Sequence, residues 1–382
     1  MTVTSAPGPG DASSAGAPAI APAGTPAIDT AGVPAIDTHT HFWPRGLLAA
    51  GRAGRDWYGW RPVTEADGRR AFALGRTVLN FAPPEVDLAD PTARLAARAQ
   101  QQGIGFEAVQ VAGFLFNYHL DAARGAAFCR ELNTELAELE AAAPDTYRGL
   151  AQLPLQDRDA ALAVLDHAVK ELGLRHFVLT PAVNGRNLDD PQILPVLEAM
   201  AEAGVTANVH PAFFDKLGAG DRLGRYYFES SFAAPVEASI GLMTVIHSGL
   251  LDRHPDFRMC FTHGGGIAIH SLGRFDHRWH MISSAQRTMA RPPSEYLAAG
   301  NLFYDVLVHD VRALELVIER VGVDQLTIGT DHPFAWDHPG GAANWIRTAD
   351  FLDAAAREKI LWRNAARFYG LDTSVPPGTA GS

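Results

Sequence analysis

The chain has 382 residues, 47% apolar and 20% charged, with a formal charge of −11. That balance, with no run of Lys or Arg against it, excludes a general nucleic-acid binder, which needs a basic footprint for phosphates. Two cysteines, Cys129 and Cys260, are too few for a disulfide framework, so a reducing compartment and a cytoplasmic location are expected.

Residues 1–31 are mostly Ala, Pro, Gly, Ser and Thr. They offer too little apolar bulk to offset the entropy of ordering, so this segment is expected to be disordered. It has no Lys or Arg and no unbroken apolar core, so no secretory signal is read there. The run Pro-Ala-Ile-Asp-Thr occurs at 26–30 and again at 34–38, and only the second copy continues into His39-Thr40-His41. Residues 32–372 are read as one domain, with a disordered tail at 373–382.

Eight short β-rich runs follow in order, at 33–37, 106–113, 147–153, 175–180, 205–210, 257–263, 301–308 and 324–331. Helical patterns lie between them: Asp121–Ala143, Asp157–Leu172, Gln192–Ala203, Val311–Val321 and Ala354–Tyr369. The apolar stretch at 232–251 is interrupted by Pro235, Glu237 and His247, which fits a buried helix and not a bilayer span. Residues 44–90, rich in Arg, Trp and Gly, read as an insertion, and Phe213 to about Ser231 as a lid or loop. Strands alternating with helices imply βαβ units and a parallel sheet. Eight of them fit a distorted (β/α)8 TIM barrel with inserted loops, and a Gly-rich dinucleotide turn is missing after the first strand.

Of the 15 histidines, His119, His167, His176, His254, His277 and His280 sit in helical or loop contexts without partners and read as structural or surface residues. Five other residues fall at strand ends: His39 and His41 on the first, His210 on the fifth, His263 on the sixth and Asp331 on the eighth. In a barrel those ends share the C-terminal rim, where catalytic groups collect. Residues two apart on a strand face the same way, so His39 and His41 can reach one ion. Imidazole nitrogens and a carboxylate suit Zn²⁺. Three glycines follow His263, which suggests close approach of the backbone to a ligand or metal.

The set "IDTHTHFWP", "NVHP", "DRHPDFRMCFTHGGG", "LVHD" and "GTDHPF" resembles the amidohydrolase superfamily. The nearer resemblance is to the branch that holds 2-amino-3-carboxymuconate-6-semialdehyde decarboxylase and the non-oxidative hydroxybenzoate decarboxylases. It implies that His39, His41, His210 and Asp331 ligate a metal, with Asp331 also counted among the catalytic groups. His263 would be the acid/base, and Arg274 would bind a substrate carboxylate, often across the interface of a homodimer. Where the family places a second substrate arginine this chain has its insertion, with Arg69, Arg70 and Arg76 as candidates; Arg76 is carried forward. Ala212 and Phe213 stand where the semialdehyde decarboxylase has a pocket tryptophan, so Phe213 is a substrate-lining candidate. His39-Thr40-His41 in place of Glu-x-His favours Zn²⁺, with Mn²⁺ the alternative.

The reaction the resemblance implies is metal-dependent, non-oxidative decarboxylation of an unsaturated or aromatic carboxylic acid, a small-molecule substrate. A metal with three His and one Asp lowers the pKa of bound water to about 7, and His263 can pass the proton. The alternative is a hydrolase, cleaving a C–C bond or a lactone on the same scaffold.

Overall fold

A computed structural model describes residues 2–4, 34–66, 68, 70–75, 77–80, 91–212, 223, 226, 228–334, 337–374 and 376. Eight parallel strands form one sheet in chain order. They are β1 (Ala35–Phe42), β2 (Ile104–Val111), β3 (Tyr147–Gln152), β4 (His176–Leu179), β5 (Thr206–Val209), β6 (Met259–Phe261), β7 (Leu302–Asp305) and β8 (Leu326–Thr327). Isolated parallel bridges, Asp37 with Ile328 and Thr40 with His332, bring the last strand back to the first. The result is the distorted (β/α)8 barrel expected from the sequence.

All eight strands lie where the β-rich runs placed them, with shifted ends. β1 begins at Ala35 and carries His39 and His41 within it, because Thr38, Thr40 and Phe42 extend a run suited to a pleated surface. β8 pairs with β7 over only two residues, and the rest of its run bonds to β1 instead.

The outer layer follows the apolar periodicities. α1 (Ala122–Ala142), α2 (Arg158–Lys170), α3 (Leu194–Glu202), α4 (Ala234–His247), α5 (Leu272–Met281) and α6 (Val311–Val321) pack around the sheet. Asp121, Asp157 and Asp310 cap α1, α2 and α6 by accepting a backbone N–H three residues on. α4 is the buried helix expected from the apolar stretch, entered through a π-helical turn at Glu229–Ala233. No helix among the described residues is long and apolar enough to cross a membrane. The single helix expected over Ala354–Tyr369 is three pieces, Ala354–Glu358, a π turn Lys359–Arg363, and Asn364–Tyr369. Ile360, Leu361 and Trp362 are all buried in succession, more than one face of an unbroken α-helix presents.

The insertion after β1 has structure of its own: a helix Arg45–Arg52, antiparallel strands Arg61–Thr64, Arg70–Leu74 and Thr77–Asn80, and a helix Pro91–Gln102. Thr2–Thr4 pair in parallel with Val78 to Asn80 of the last of these strands. The rest of the N-terminal segment expected to be disordered, residues 1 and 5–31, lies outside the described residues, as does most of the 213–231 stretch.

Candidate metal centre and active site

The seam between β1 and β8 builds the site. Thr38 N donates to Ile328 O, Asp331 N to His39 O and His41 N to His332 O, at 2.9, 2.9 and 2.7 Å. These bonds fix Asp331, in a left-handed backbone conformation (φ 58°), beside the two histidines. Against β2, β1 breaks register between Asp37 and Thr40. Such an irregularity re-aims side chains locally, and both His39 and His41 meet Asp331. His210, one residue past β5, completes the group.

The donor atoms of His39, His41, His210 and Asp331 lie within 4.8 Å of one another, and all four residues are buried. Asp331 Oδ1 stands 2.8 Å from His41 Nε2, 3.2 Å from His39 Nε2 and 4.0 Å from His210 Nε2. The outward nitrogens are engaged elsewhere: His39 Nδ1 with Asp305 Oδ2 at 2.8 Å, and His41 Nδ1 facing Val111 O at 3.4 Å. His39 Nε2 makes no hydrogen bond among the described residues despite complete burial. A buried, unsatisfied imidazole nitrogen beside two more histidines and a carboxylate is what a divalent ion requires. The residues present fit a metal.

Burial alone would raise the pKa of Asp331, but the electrostatic pull of the adjacent His39 and the contact with His41 outweigh it and hold the carboxyl well below its usual range. Burial, then the neighbouring His41 and His39, pushes His210 far down. Asp331 therefore presents as a carboxylate and His210 as a neutral imidazole, the ligand forms.

His263 follows β6 with φ 56°, its ring centroid 5.2 Å from that of His39 and 5.7 Å from that of His210. Its Nδ1 lies 3.1 Å from Thr262 Oγ1. Burial, with His39 adding to it, lowers its pKa to about 4. The glycines after it serve the chain itself rather than the approach of a ligand. A Cβ on Gly264 would lie 2.4 Å from Val308 Cγ1, one on Gly265 2.8 Å from Tyr304, and one on Gly266 inside contact with Pro235 O.

A cleft of about 200 Å³ opens over these groups, lined by His210 to Ala212, His263, Leu307, Asp331 and the Glu229–Glu237 stretch at the start of α4. Phe334 closes one side of His41, with centroids 5.2 Å apart. Five of the expected residues thus converge: His39, His41, His210, His263 and Asp331. Phe213, Arg69 and Arg76 lie outside the described residues, and Arg70 begins a strand of the insertion. Arg274 is exposed on α5 and is not among the residues lining the cleft.

Sequence reasoning passed over Asp305 at the end of β7, although the strand-end criterion that selected His210 and Asp331 applies to it equally. It also passed over the buried cluster behind β1. There Arg98 binds Asp37 (2.8 Å), Thr330 (2.7 Å) and Glu107 (3.3 Å), while Arg94 binds Glu107 (2.9 Å) and His41 O (2.6 Å). Arg94 and Arg98 lie four apart on one helix, an arrangement that looks like an ordinary solvated face until its burial is known.

The amidohydrolase family model matches residues 36–371. The chain belongs to the amidohydrolase family. Among relatives of this amidohydrolase, the 2-amino-3-carboxymuconate-6-semialdehyde decarboxylase of Dictyostelium discoideum is 28% identical over 287 residues, spanning 74% of this chain and 77% of that protein. The gamma-resorcylate decarboxylase of Polaromonas sp. is 29% identical over 269 residues, spanning 66% and 79%. Two solved structures share the fold. One is a dihydroxybenzoic acid decarboxylase of Polaromonas sp. with bound manganese and the inhibitor 2-nitroresorcinol (TM-score 0.69, 22% identity, 88% of this chain and 97% of that one). The other is 5-carboxyvanillate decarboxylase of Sphingomonas paucimobilis (TM-score 0.70, 23% identity, 89% and 100%).

Proposed function

We propose that this amidohydrolase is a metal-dependent, non-oxidative decarboxylase of a small aromatic or unsaturated carboxylic acid. The carrying observation is the buried set His39, His41, His210 and Asp331 beneath His263, in a chain whose relatives on both sides, semialdehyde and hydroxybenzoate, are named decarboxylases. The four residues would hold a divalent ion, which when bound supplies Lewis acidity toward substrate oxygens. The manganese of the Polaromonas structure supports Mn²⁺, whereas the imidazole-rich donor set suits Zn²⁺; metal analysis of the protein as purified decides between them.

The remaining chemistry falls to the chain. His263, kept neutral by burial, takes up a proton and passes it to the carbon that bears the carboxylate. That carbon becomes tetrahedral, the C–C bond electrons return to the conjugated system, and CO2 leaves with a hydrogen in its place. The cleft over these groups would orient the acid toward His263. Arg274, exposed on α5, would grip a substrate carboxylate bidentately only in the cleft of a second copy, so we propose a homodimer. Free, buried Cys129 and Cys260 support a reducing, cytoplasmic setting.

The test is incubation of metal-loaded protein with gamma-resorcylate and a panel of related acids. Release of one CO2 per product formed supports decarboxylation. Products that release no CO2 and together keep every substrate carbon plus the elements of water would instead establish the hydrolase.

A further inference from the structure

Asp305 ends β7 at the level of the ligands but is not one of them. It is 1% exposed, and its two oxygens have different partners. Oδ2 accepts from His39 Nδ1 at 2.8 Å, while Oδ1 accepts from Gly264 N at 2.8 Å and Leu307 N at 3.1 Å. One carboxylate therefore touches the ring of His39, the peptide directly after His263, and a wall of the cleft. An ionised carboxylate only accepts hydrogen bonds. Facing His39 it keeps a proton on Nδ1 and leaves the Nε2 lone pair directed at the other donors. Through Gly264 N it fixes a turn that is otherwise costly, since His263 holds a positive φ without being glycine.

The space for Asp305 comes from β8. A Cβ on Gly329 would lie 2.6 Å from Asp305 Cβ, 2.7 Å from its Oδ2 and 2.9 Å from its Cγ. These include atoms near the root of a short side chain, which cannot swing aside. Any larger residue at 329 would dislodge the carboxylate that orients His39.

We propose that Asp305, seated by Gly329, is a positioning residue: it sets His39 for metal binding and anchors the turn that presents His263. The proposal rests on the divalent-metal reading of the centre. Asp305→Asn separates the two duties. Its carbonyl retains the bonds from Gly264 and Leu307, but its amide sets a donor against His39 Nδ1–H. The His39 proton then shifts to Nε2, where it obstructs the ion. Gly329→Ala leaves the carboxylate intact and displaces it.

Zn²⁺ affinity is measured by chelator competition on folded, metal-free protein, with the thermal midpoint of the same samples as a control. We expect Asp305→Asn to weaken Zn²⁺ binding by about 10–100-fold, the usual cost of losing such an outer partner, with Gly329→Ala weakening it in the same direction. Gly329→Ala decides the matter should Asp305→Asn not fold. Affinity equal to wild type in the folded variants overturns the proposal, even if their thermal midpoints fall, because the role would then be purely structural. Failure of the wild type to bind Zn²⁺ or Mn²⁺ stoichiometrically would overturn the metal reading itself.

Discussion

His41 and Asp305 both touch the centre, and their loss should read differently. His41→Ala removes a proposed ligand whose Nε2 lies 2.8 Å from Asp331, so metal content and turnover should both fall by more than the roughly 10–100-fold cost of an outer partner. Elemental analysis with a CO2 assay on the same preparation checks this, and retention of either would remove His41 from the centre. At this scale the convergence of His39, His41, His210 and Asp331 was legible because histidine and aspartate at strand ends leave a mark in one dimension. The conformations that aim them were not. Positive φ at His263 and Asp331 arises from bonds across the seam and from the packing of Gly264 to Gly266, contacts between segments far apart in sequence.

The element that matters most is that seam. β1 and β8 meet through isolated bridges, with Arg98, Asp37 and Thr330 tying them from behind. Removing one partner of a buried charge cluster leaves another charge uncompensated, which costs about 3–5 kcal/mol. Arg98→Met should lose that much in denaturant unfolding, and a loss below about 1 kcal/mol would show that the cluster does not hold the seam. A second link joins β4 to β5, where His176 Nδ1 lies 2.8 Å from Thr206 Oγ1 and the ring packs edge-on to Tyr369. Burial, then Arg148, Arg258 and Arg175, lowers the His176 pKa to about 3, below the unfolded value of about 6.5. Between those values the unfolded chain binds the extra proton, so this contribution is complete above about pH 6.5 and is lost as pH falls toward 3. Stability should therefore drop less steeply from about pH 7 to 4 in His176→Gln than in wild type, by up to about 1.4 kcal/mol per pH unit; parallel curves would contradict it. The aspartates capping three of the helices could be read from sequence. The π turn at Lys359–Arg363 could not, since three successive apolar residues suit either a strand or a helix until the core that receives them is known.

For the whole molecule, the order of eight strands was readable because β and α periodicities alternate cleanly. The sheet inside the insertion was not, since strands of four or five residues with Pro and Arg among them carry almost no periodic signal. β1 begins at Ala35, after the first copy of the repeated pentapeptide. Deletion of residues 1–31 should leave metal content and turnover within about twofold of the full chain, whereas loss of metal would mean that the segment completes the centre. A bound ion should also stabilise the whole barrel, by about 2.7 kcal/mol at a free concentration 100 times its Kd, and a thermal midpoint unmoved by Zn²⁺ or Mn²⁺ would count against a preformed site. The most direct test follows the carbon of the substrate. Metal-loaded protein is given gamma-resorcylate and related aromatic acids in ¹⁸O-labelled water, and the products are weighed by mass spectrometry. The structure predicts a product lighter by one CO2, with hydrogen where the carboxylate stood and no ¹⁸O in its ring substituents; products that carry ¹⁸O and form without release of CO2, as one molecule or two fragments, would contradict it.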